Sequence, residues 1–387
     1  MDEVLELPTP GGITPIAYLR RDASPALPAP DFATGPFAWA QKNLFPNVQS
    51  SIVSVLFGSV ILWALYSLAS LFFFRAIFSA PDGALCRAQD AGICWPFLWQ
   101  KLSFFTYFAY PEDQRWRVNL AMIMGAVLIV WLLWDRLPGK AIAAGLFFLV
   151  YPVVGFWLLY GFELIGLPRV DTNEWGGIFV SLMLSLIGIV FSLPLGIILA
   201  LGRRSQLPIV KMMSVVYIEV LRGVPFITVL FMAVHMLPLF VPEAWHPNKM
   251  LLPLIGTVMF ASAYMAEVVR GGLQAMPKGQ FEGAMAMGLG YWQMMRLIIL
   301  PQSLTIVIPG IVNTFIGLFK DTTLVQIVGF YDFLGAVTTS VKDLNWAGPN
   351  LLLTGLAFAA LFYWVFCYSM ASYSKYIEHK LNASKAH

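Results

Sequence analysis

Charged side chains inside apolar stretches are the residues of this chain whose types and spacing could do chemistry. They stand in the segments YIEVLRGVPF, AYMAEVVRGG and GLFKDTTL: Glu219, Arg222, Glu267, Arg270, Lys320 and Asp321. In the first two segments the i,i+3 spacing places a glutamate and an arginine on one helix face. Two interpretations stay open for these pairs: local neutralisation, or a gate or docking surface.

The third segment places four polar residues in a row at the end of an apolar stretch. Lys320 and Asp321 are followed by Thr322 and Thr323. The two charges could form an ion pair at a membrane interface, or they could face a path taken by a charged solute. If there is such a path, these four residues are our candidates for lining or shaping it.

The remaining chemistry-bearing residues do not form an enzyme site. The segments RLPGK and AMPKGQ lack the first glycine of a phosphate-binding loop, so we expect no nucleotide cofactor on this chain. His235 is the one histidine near an apolar stretch, and no Ser/His/Asp or Cys/His set accompanies it. With four histidines and three cysteines, dispersed along the chain, no metal site is expected either.

The composition is that of a membrane protein. Of the 387 residues, 59% are hydrophobic and 12% are charged. A soluble domain is about 45–50% apolar and about 25% charged, and here the apolar excess falls into runs long enough to cross a bilayer. The fold class is therefore all-α and polytopic, with about eight transmembrane helices. The predicted spans are 52–74, 118–134, 141–161, 176–201, 213–240, 251–269, 303–319 and 350–374.

Lysine and arginine mark the cytoplasmic ends of membrane spans. From the third span onward they favour an orientation in which both termini and residues 282–301 lie in the cytoplasm. The loop that carries Cys86 and Cys94 then faces outward, where the two thiols could pair or stay free. The charge bias is weakest around that loop.

Four segments follow from the pattern. Residues 1–45 are a polar, Pro-rich tail, and 46–170 hold three spans with little that resembles a site. Residues 171–375 hold five spans and nearly all the patterned polar residues, so we expect the functional core there. Residues 376–387 are a short cytoplasmic tail.

Between the sixth and seventh spans lies an unusual connection, EGAMAMGLGYWQMMRLIILP. A short helix from Pro277 is predicted to end where Gly288 and Gly290 permit a tight turn, and a second helix leads to Pro301. Small Ala284 and Ala286 would let another surface approach closely. The segment is either a docking helix for a separate protein or an interfacial helix without a partner.

This connection resembles the cytoplasmic loop of ABC-transporter permease subunits, written E-A-A, three residues, G, nine residues, I-x-L-P. The matching residues are Glu282, Ala284, Gly288, Ile298, Leu300 and Pro301. Gly283 departs from the pattern, because the family has alanine there. Glycine weakens a helix by up to about 1 kcal/mol but keeps the close approach.

Further segments point to one subfamily. LRGVPFITVLFM, AYMAEVVRGGLQAMPKGQFEGA and FKDTTLVQIVG resemble the polar amino-acid permeases over about residues 175–375. The additional N-terminal segment with its CWPF loop resembles the longer permeases of general L-amino-acid uptake systems in Gram-negative bacteria.

The resemblance implies a five-helix type I ABC importer core preceded by three extra helices. It implies a permease in the bacterial inner membrane that binds no cofactor itself, with ATP and Mg²⁺ on two partner ATP-binding subunits. A second, related permease chain would complete a heterodimer, and a periplasmic binding protein would deliver the amino acid. Loop 277–301 would couple the permease to the ATPase subunits.

The alternative function is a secondary amino-acid transporter driven by an ion gradient. Such transporters are typically built from inverted repeats with broken helices in both halves. Spans one to three do not mirror spans four to eight, which favours the ATP-driven importer. An intramembrane enzyme or a scaffold is the third interpretation, and it lacks a nucleophile or metal constellation.

Overall fold

The computed structural model describes residues 4–6, 16–18, 35–163, 166–242 and 248–383. The chain divides into two compact units, residues 1–70 and 71–387. Much of the expected N-terminal tail, and residues 384–387 of the expected C-terminal tail, lie outside the described residues.

The first unit contains a short hairpin and two helices. Strands β1 (Val4–Glu6) and β2 (Ile16–Tyr18) pair in antiparallel register. Helix α1 (Pro36–Leu44) precedes α2 (Val48–Ala69), which Asn47 caps by accepting a hydrogen bond from the backbone N–H of Ser50. Helix α2 carries no charged residue and is apolar enough to cross a membrane.

Among the described residues of the second unit, the regular secondary structure is helical apart from one two-residue strand pair. Its α-helices are α3 (Trp95–Tyr107), α4 (Arg115–Leu133), α5 (Lys140–Gly145), α6 (Tyr151–Tyr160), α7 (Ile178–Arg203), α8 (Pro208–Gly223), α9 (Phe226–Phe231), α10 (Leu237–Phe240), α11 (Leu251–Ala275), α12 (Lys278–Ala286), α13 (Tyr291–Met294), α14 (Leu300–Ile306), α15 (Ile308–Asp321), α16 (Phe333–Ser340) and α17 (Leu351–Ala383). Strands β3 (Gly176–Gly177) and β4 (Tyr331–Asp332) pair in parallel.

Short helical segments of other types join these elements. The π-helical segments are Ser70–Phe74, Leu146–Val150, Met232–Met236 and Met295–Ile299. The 3₁₀ segments are Leu85–Arg87, Glu112–Gln114, Thr172–Glu174 and Thr322–Val328.

The prediction of a polytopic all-α membrane protein is confirmed. In the described part of the chain, seven helices are long and apolar enough to cross a bilayer, and a bent helix pair brings the number to eight. The seven helices are Val48–Phe74, Glu112–Leu133, Lys140–Tyr160, Ile178–Arg203, Leu251–Ala275, Ile308–Val328 and Leu351–Leu381.

The bent pair replaces the continuous fifth span that the sequence predicted over 213–240. Helix α8 and the helix that follows it, Phe226–Phe240, meet at 110°. Pro225 has no N–H to continue the helix of α8, and its ring drives Val224 into an extended conformation, with φ −112° and ψ 148°. The hydrophobic pattern continues through this break, so periodicity alone could not reveal it.

Helices α7 and α11 form the most extensive helix pair in the chain. Gly196 lets them approach, because a Cβ atom there would lie 2.7 Å from the side chain of Met265. Small residues are the usual means of close helix packing in membranes, where lipid is as apolar as a leucine side chain. This pair is the frame on which the other core helices pack.

The three-span extension is not separate from the core beyond residue 71. Helix α3 packs against α16 and α17 through Phe97, Phe105, Phe333 and Trp346. The division into compact units falls at 70/71. Within the second unit, aromatic side chains from segments distant in sequence pack together, and local composition does not record such contacts.

Candidate functional site

The helix α12 and the turn after it form the segment that the sequence singled out. Gly288 has φ 73°, and its N–H donates to the carbonyl of Met285 at 2.9 Å. The N–H of Leu289 donates to the carbonyl of Ala284 at 3.2 Å. These two bonds define a Schellman motif, which satisfies the last carbonyls of α12 and turns the chain sharply. Gly290 has φ −68°, so the turn uses one left-handed glycine and not two.

One face of α12 is open to solvent. Glu282 and Gly283 are exposed, and no atom lies within 4 Å of a Cβ built on Gly283 or Gly288. The side chains of Met285 and Met287 are 59% and 67% exposed. Exposed methionines beside small residues give an adaptable, close-fitting surface for another protein.

Ala284 lies on the opposite face, and the expectation that it admits a partner does not fit its position. It is 1% exposed and belongs to a core cluster with Met294 and Met295. Its small side chain allows α12 to lie close against the bundle. Ala286 is on the exposed side, so of the two alanines only Ala286 can lie against another protein.

The end of the segment joins this surface to the membrane core. Ile298 and Leu300 are half-buried and pack on the same cluster as Ala284, while Ile299 is fully buried. Pro301 is exposed in the first turn of α14, where a proline is well tolerated. The side chain of Gln302 donates to Gln280 Oε1 at 3.0 Å and so ties α14 to α12.

The four charged residues at the ends of α8 and α11 form a network that includes a fifth, Arg203. Glu267 pairs with Arg270 as the i,i+3 spacing predicted. Glu219 instead pairs with Arg203 of α7 at 2.8 Å, and Arg222 lies 3.7 Å from Glu267. Glu219 and Arg222 thus pair not with each other but with residues of neighbouring helices.

This network is part-buried and joins three helices. Arg203 also lies 3.6 Å from Glu267, and the facing atoms, Arg203 Nη1 and Glu267 Oε2, are buried without a hydrogen-bond partner among the described residues. Arg222 additionally lies over the ring of Tyr264, 5.5 Å from its centroid. Sequence spacing missed Arg203, because a helix end rich in arginine is indistinguishable from ordinary positive-inside charge.

Lys320 and Asp321 lie at the opposite end of the bundle from α12. Helix α15 has 14 residues and ends at Asp321, so these residues lie about 20 Å from its first turn. Lys320 is exposed and Asp321 half-buried. Thr322 and Thr323 donate to the carbonyls of Phe319 and Lys320, both at 2.9 Å, so their hydroxyls are used within the turn.

Asp332 is a buried carboxylate that the sequence reasoning missed. It caps α16 by accepting from the N–H of Gly335 at 2.8 Å, and Tyr363 donates to it at 3.1 Å. The hydroxyl of Ser181 on α7 accepts from the N–H of Phe333 at 2.9 Å and donates to Asp332 at 3.4 Å. Asp332 thus joins α16 to α7 and α17. An aspartate directly before an apolar helical run is a capping signal that could have revealed it.

One apolar cavity of the second unit does not suit an amino acid. It has a volume of about 520 Å³ and lies between the extension and α17. Phe72, Trp95, Leu98, Phe358 and Leu361 are among its lining residues. A zwitterion in such an apolar space would lose its hydration without replacement. In the described residues, no group of three metal-binding side chains comes together either.

Comparison with known proteins assigns the family. The model of the family described as "Binding-protein-dependent transport system inner membrane component" matches residues 192–383. The chain is 45% identical over 365 residues to the inner membrane amino-acid ABC transporter permease protein YhdY of Escherichia coli (strain K12), covering 93% of this chain and 97% of that protein.

Two further relatives differ in how much of this chain they match. Identity is 36% over 431 residues to the glutamate/glutamine/aspartate/asparagine transport system permease protein BztC of Rhodobacter capsulatus, covering 94% of this chain and 98% of that one. It is 33% over 188 residues to the probable amino-acid permease protein YxeN of Bacillus subtilis (strain 168), covering 48% and 81%. The two long relatives match the extension as well as the core. The family match favours the ATP-driven importer over an ion-gradient transporter. The chain belongs to the family of amino-acid ABC transporter permeases.

Proposed function

We propose that the chain is the membrane-spanning subunit of an ATP-driven, binding-protein-dependent importer of L-amino acids. In this proposal residues 277–301 receive the motion of ATP-binding subunits, and residues 171–375 form one wall of the translocation path. Residues 46–170 are an extension that braces the core. The protein lies in the inner membrane with both termini in the cytoplasm.

The observation that carries the proposal is the exposed face of α12. A connection of the membrane bundle would normally be short, yet this one is a capped helix with Glu282 exposed and two methionines open to solvent. The Schellman turn at Gly288 fixes its shape before any partner arrives. A pre-shaped surface loses little conformational entropy on docking, which suits a part that must follow another protein through each cycle.

The partners follow from the family. Two ATP-binding subunits would hold ATP and Mg²⁺, a second and related permease chain would complete the path, and a periplasmic binding protein would deliver the substrate. The names of the long relatives support amino acids as the substrate class. Coupling requires that α12 be held differently in the inward-open and outward-open states.

The path assignment rests on charge. An amino-acid zwitterion needs opposite charges or helix ends close to the membrane interior. Lys320 and Asp321 supply both signs at one helix end, with Thr322 and Thr323 shaping the turn beside them. We expect Asp321→Asn to lower amino-acid uptake or to alter its selectivity, measured with radiolabelled substrates. Unchanged uptake and selectivity would remove these residues from the path.

The coupling assignment is tested by charge reversal on α12. Glu282→Lys should weaken the association of the ATP-binding subunits by about tenfold or more, since a charge contact would become a repulsion. The permease is purified in mild detergent from native membranes, and co-purifying subunits and ATPase activity are measured.

Glu378→Lys is the matched control, because Glu378 is also exposed and lies on the C-terminal part of α17. We expect the control to keep its ATPase partners. Equal retention in both variants would place the docking surface elsewhere. Absence of any ATP-binding subunit from the wild-type preparation would contradict the proposed function itself.

A further inference from the structure

Two adjacent arginines at the end of α7 point in different directions. Arg203 is half-buried and turns toward α8 and α11, whereas Arg204 is exposed and turns toward the end of α11 and the start of α12. Neither was singled out by motif or spacing. Together they connect the end of α7 to α8, α11 and α12.

Arg204 contacts both helices that meet at residues 276–277, the joint between α11 and α12. Its guanidinium donates to the carbonyl of Leu273 at 3.0 Å, one of the last carbonyls of α11. The same guanidinium lies over the ring of Phe281 on α12, 5.8 Å from its centroid. A cation is favoured at a helix C-terminus and over an aromatic ring, so the contact has two independent sources of stabilisation.

Phe281 is well placed to receive this contact. It is half-buried and packs on the core cluster that also holds Ala284 of α12 and Met276 of the joint. One turn of α12 thus presents Glu282 to solvent and Phe281 to the bundle. A movement of α12 driven from its exposed face would carry Phe281 with it.

Arg203 extends the connection inward. It pairs with Glu219 at 2.8 Å and lies 3.6 Å from Glu267, and Glu267 also holds Arg270. Arg204 therefore contacts α12 and the end of α11, whereas its neighbour Arg203 contacts α8 and the body of α11. The side chains of these ion pairs are part-buried, and electrostatic contacts are stronger in such a setting than in bulk water.

We infer that Arg204 is a positioning residue that transmits the movement of α12 to α7, with Arg203 distributing it to α8 and α11. The inference rests on the proposed function and deepens it. Arg204 contacts Phe281 on the bundle side of α12, not the exposed side chains of Glu282, Met285 and Met287. Its role is to keep the docking helix and the path helices moving as one body.

The test separates coupling from docking. The complete transporter, purified with its ATP-binding subunits and reconstituted in liposomes, is compared for wild type, Arg204→Ala, Arg204→Lys and Phe281→Leu. We expect Arg204→Ala to keep its ATPase subunits and its ATP hydrolysis while amino-acid uptake per ATP falls about tenfold. Arg204→Lys keeps the cation at the Leu273 carbonyl and should recover part of the ratio, and Phe281→Leu should lower it.

Arg136→Ala is the matched control, because Arg136 is exposed in the turn after α4 and its side chain forms no hydrogen bond or ion pair among the described residues. Its uptake per ATP should equal that of the wild type. An unchanged ratio of uptake to ATP hydrolysis in Arg204→Ala would overturn the inference, whether or not both activities fall together. Loss of the ATPase subunits in every preparation, wild type included, would instead refute the proposed function.

Discussion

At the residue scale, two glycines of α12 carry different constraints. Gly288 adopts φ 73°, a conformation that costs an L-residue about 1–2 kcal/mol. Gly283 lies inside the helix, and a Cβ there would meet no atom within 4 Å. Gly283, the residue that departs from the family pattern, could therefore be replaced by alanine without a steric clash.

We expect Gly288→Ala to lower the free energy of unfolding by about 1 kcal/mol and to weaken ATPase binding, because the turn would be strained. Gly283→Ala should be neutral or stabilising by up to about 1 kcal/mol, since alanine is the better helix former. Thermal unfolding in detergent and co-purification of the ATPase subunits measure both. Gly288→Asn, which tolerates the left-handed region better, should fall between them, and equal behaviour of the two alanine variants would contradict this account.

At the scale of elements, the packing of α7 on α11 depends on the absence of a side chain at Gly196. A Cβ atom there would lie 2.7 Å from Met265 and 3.0 Å from the backbone nitrogen of Ala266. Because backbone is involved, neither neighbour can relieve the clash by a rotamer change alone. The helices would have to separate along the interface that also positions Arg203.

We therefore expect Gly196→Ala to destabilise the protein by about 1–3 kcal/mol, the usual effect of overpacking a core. Gly271→Ala is the matched control on α11, because a Cβ atom there has no neighbour within 4 Å. Midpoints of thermal unfolding in detergent should drop for the first variant and hold or rise for the second. A stable Gly196→Ala variant would mean that the two helices are not closely packed at this point.

At the scale of the whole second unit, residues 76–101 pack against α16 and the loop that follows it. Cys86 and Cys94 are joined by a disulfide, and the loop they close lies against the loop between α16 and α17. Asn350 donates to the carbonyl of Ala91 at 2.7 Å. Lys101 pairs with Asp343 at 2.5 Å, and this hydrogen bond lowers the pKa of the Asp343 carboxyl.

Removing the disulfide in Cys86→Ser/Cys94→Ser should cost about 2–3 kcal/mol, the loop-closure entropy of a short ring. Proteolysis within residues 76–94 should accelerate, because the loop would leave its contacts more often. Cys367→Ser serves as the control for loss of a thiol that is not bonded. Equal protease resistance of the double variant and the wild type under non-reducing conditions would argue that the packing alone holds this loop.

Sequence determined the properties that depend on composition, period or short-range spacing. The apolar runs specified a polytopic helical protein, and the spacing from Glu282 to Pro301 specified a family resemblance that the comparisons support. The pair of Glu267 and Arg270 was predictable because three residues along a helix fix which side chains meet.

Tertiary structure decided everything that requires two distant segments to meet. Glu219 finds Arg203 and not Arg222, the fifth span bends by 110° at Pro225, and Arg204 reaches Phe281 across a joint that no local pattern encodes. Helix propensity and hydrophobic period act over a few turns, whereas ion pairs and aromatic packing between helices depend on how whole elements cross. For that reason the sequence located the segment of α12, and only the packed bundle revealed its contact with Arg204 at the end of α7.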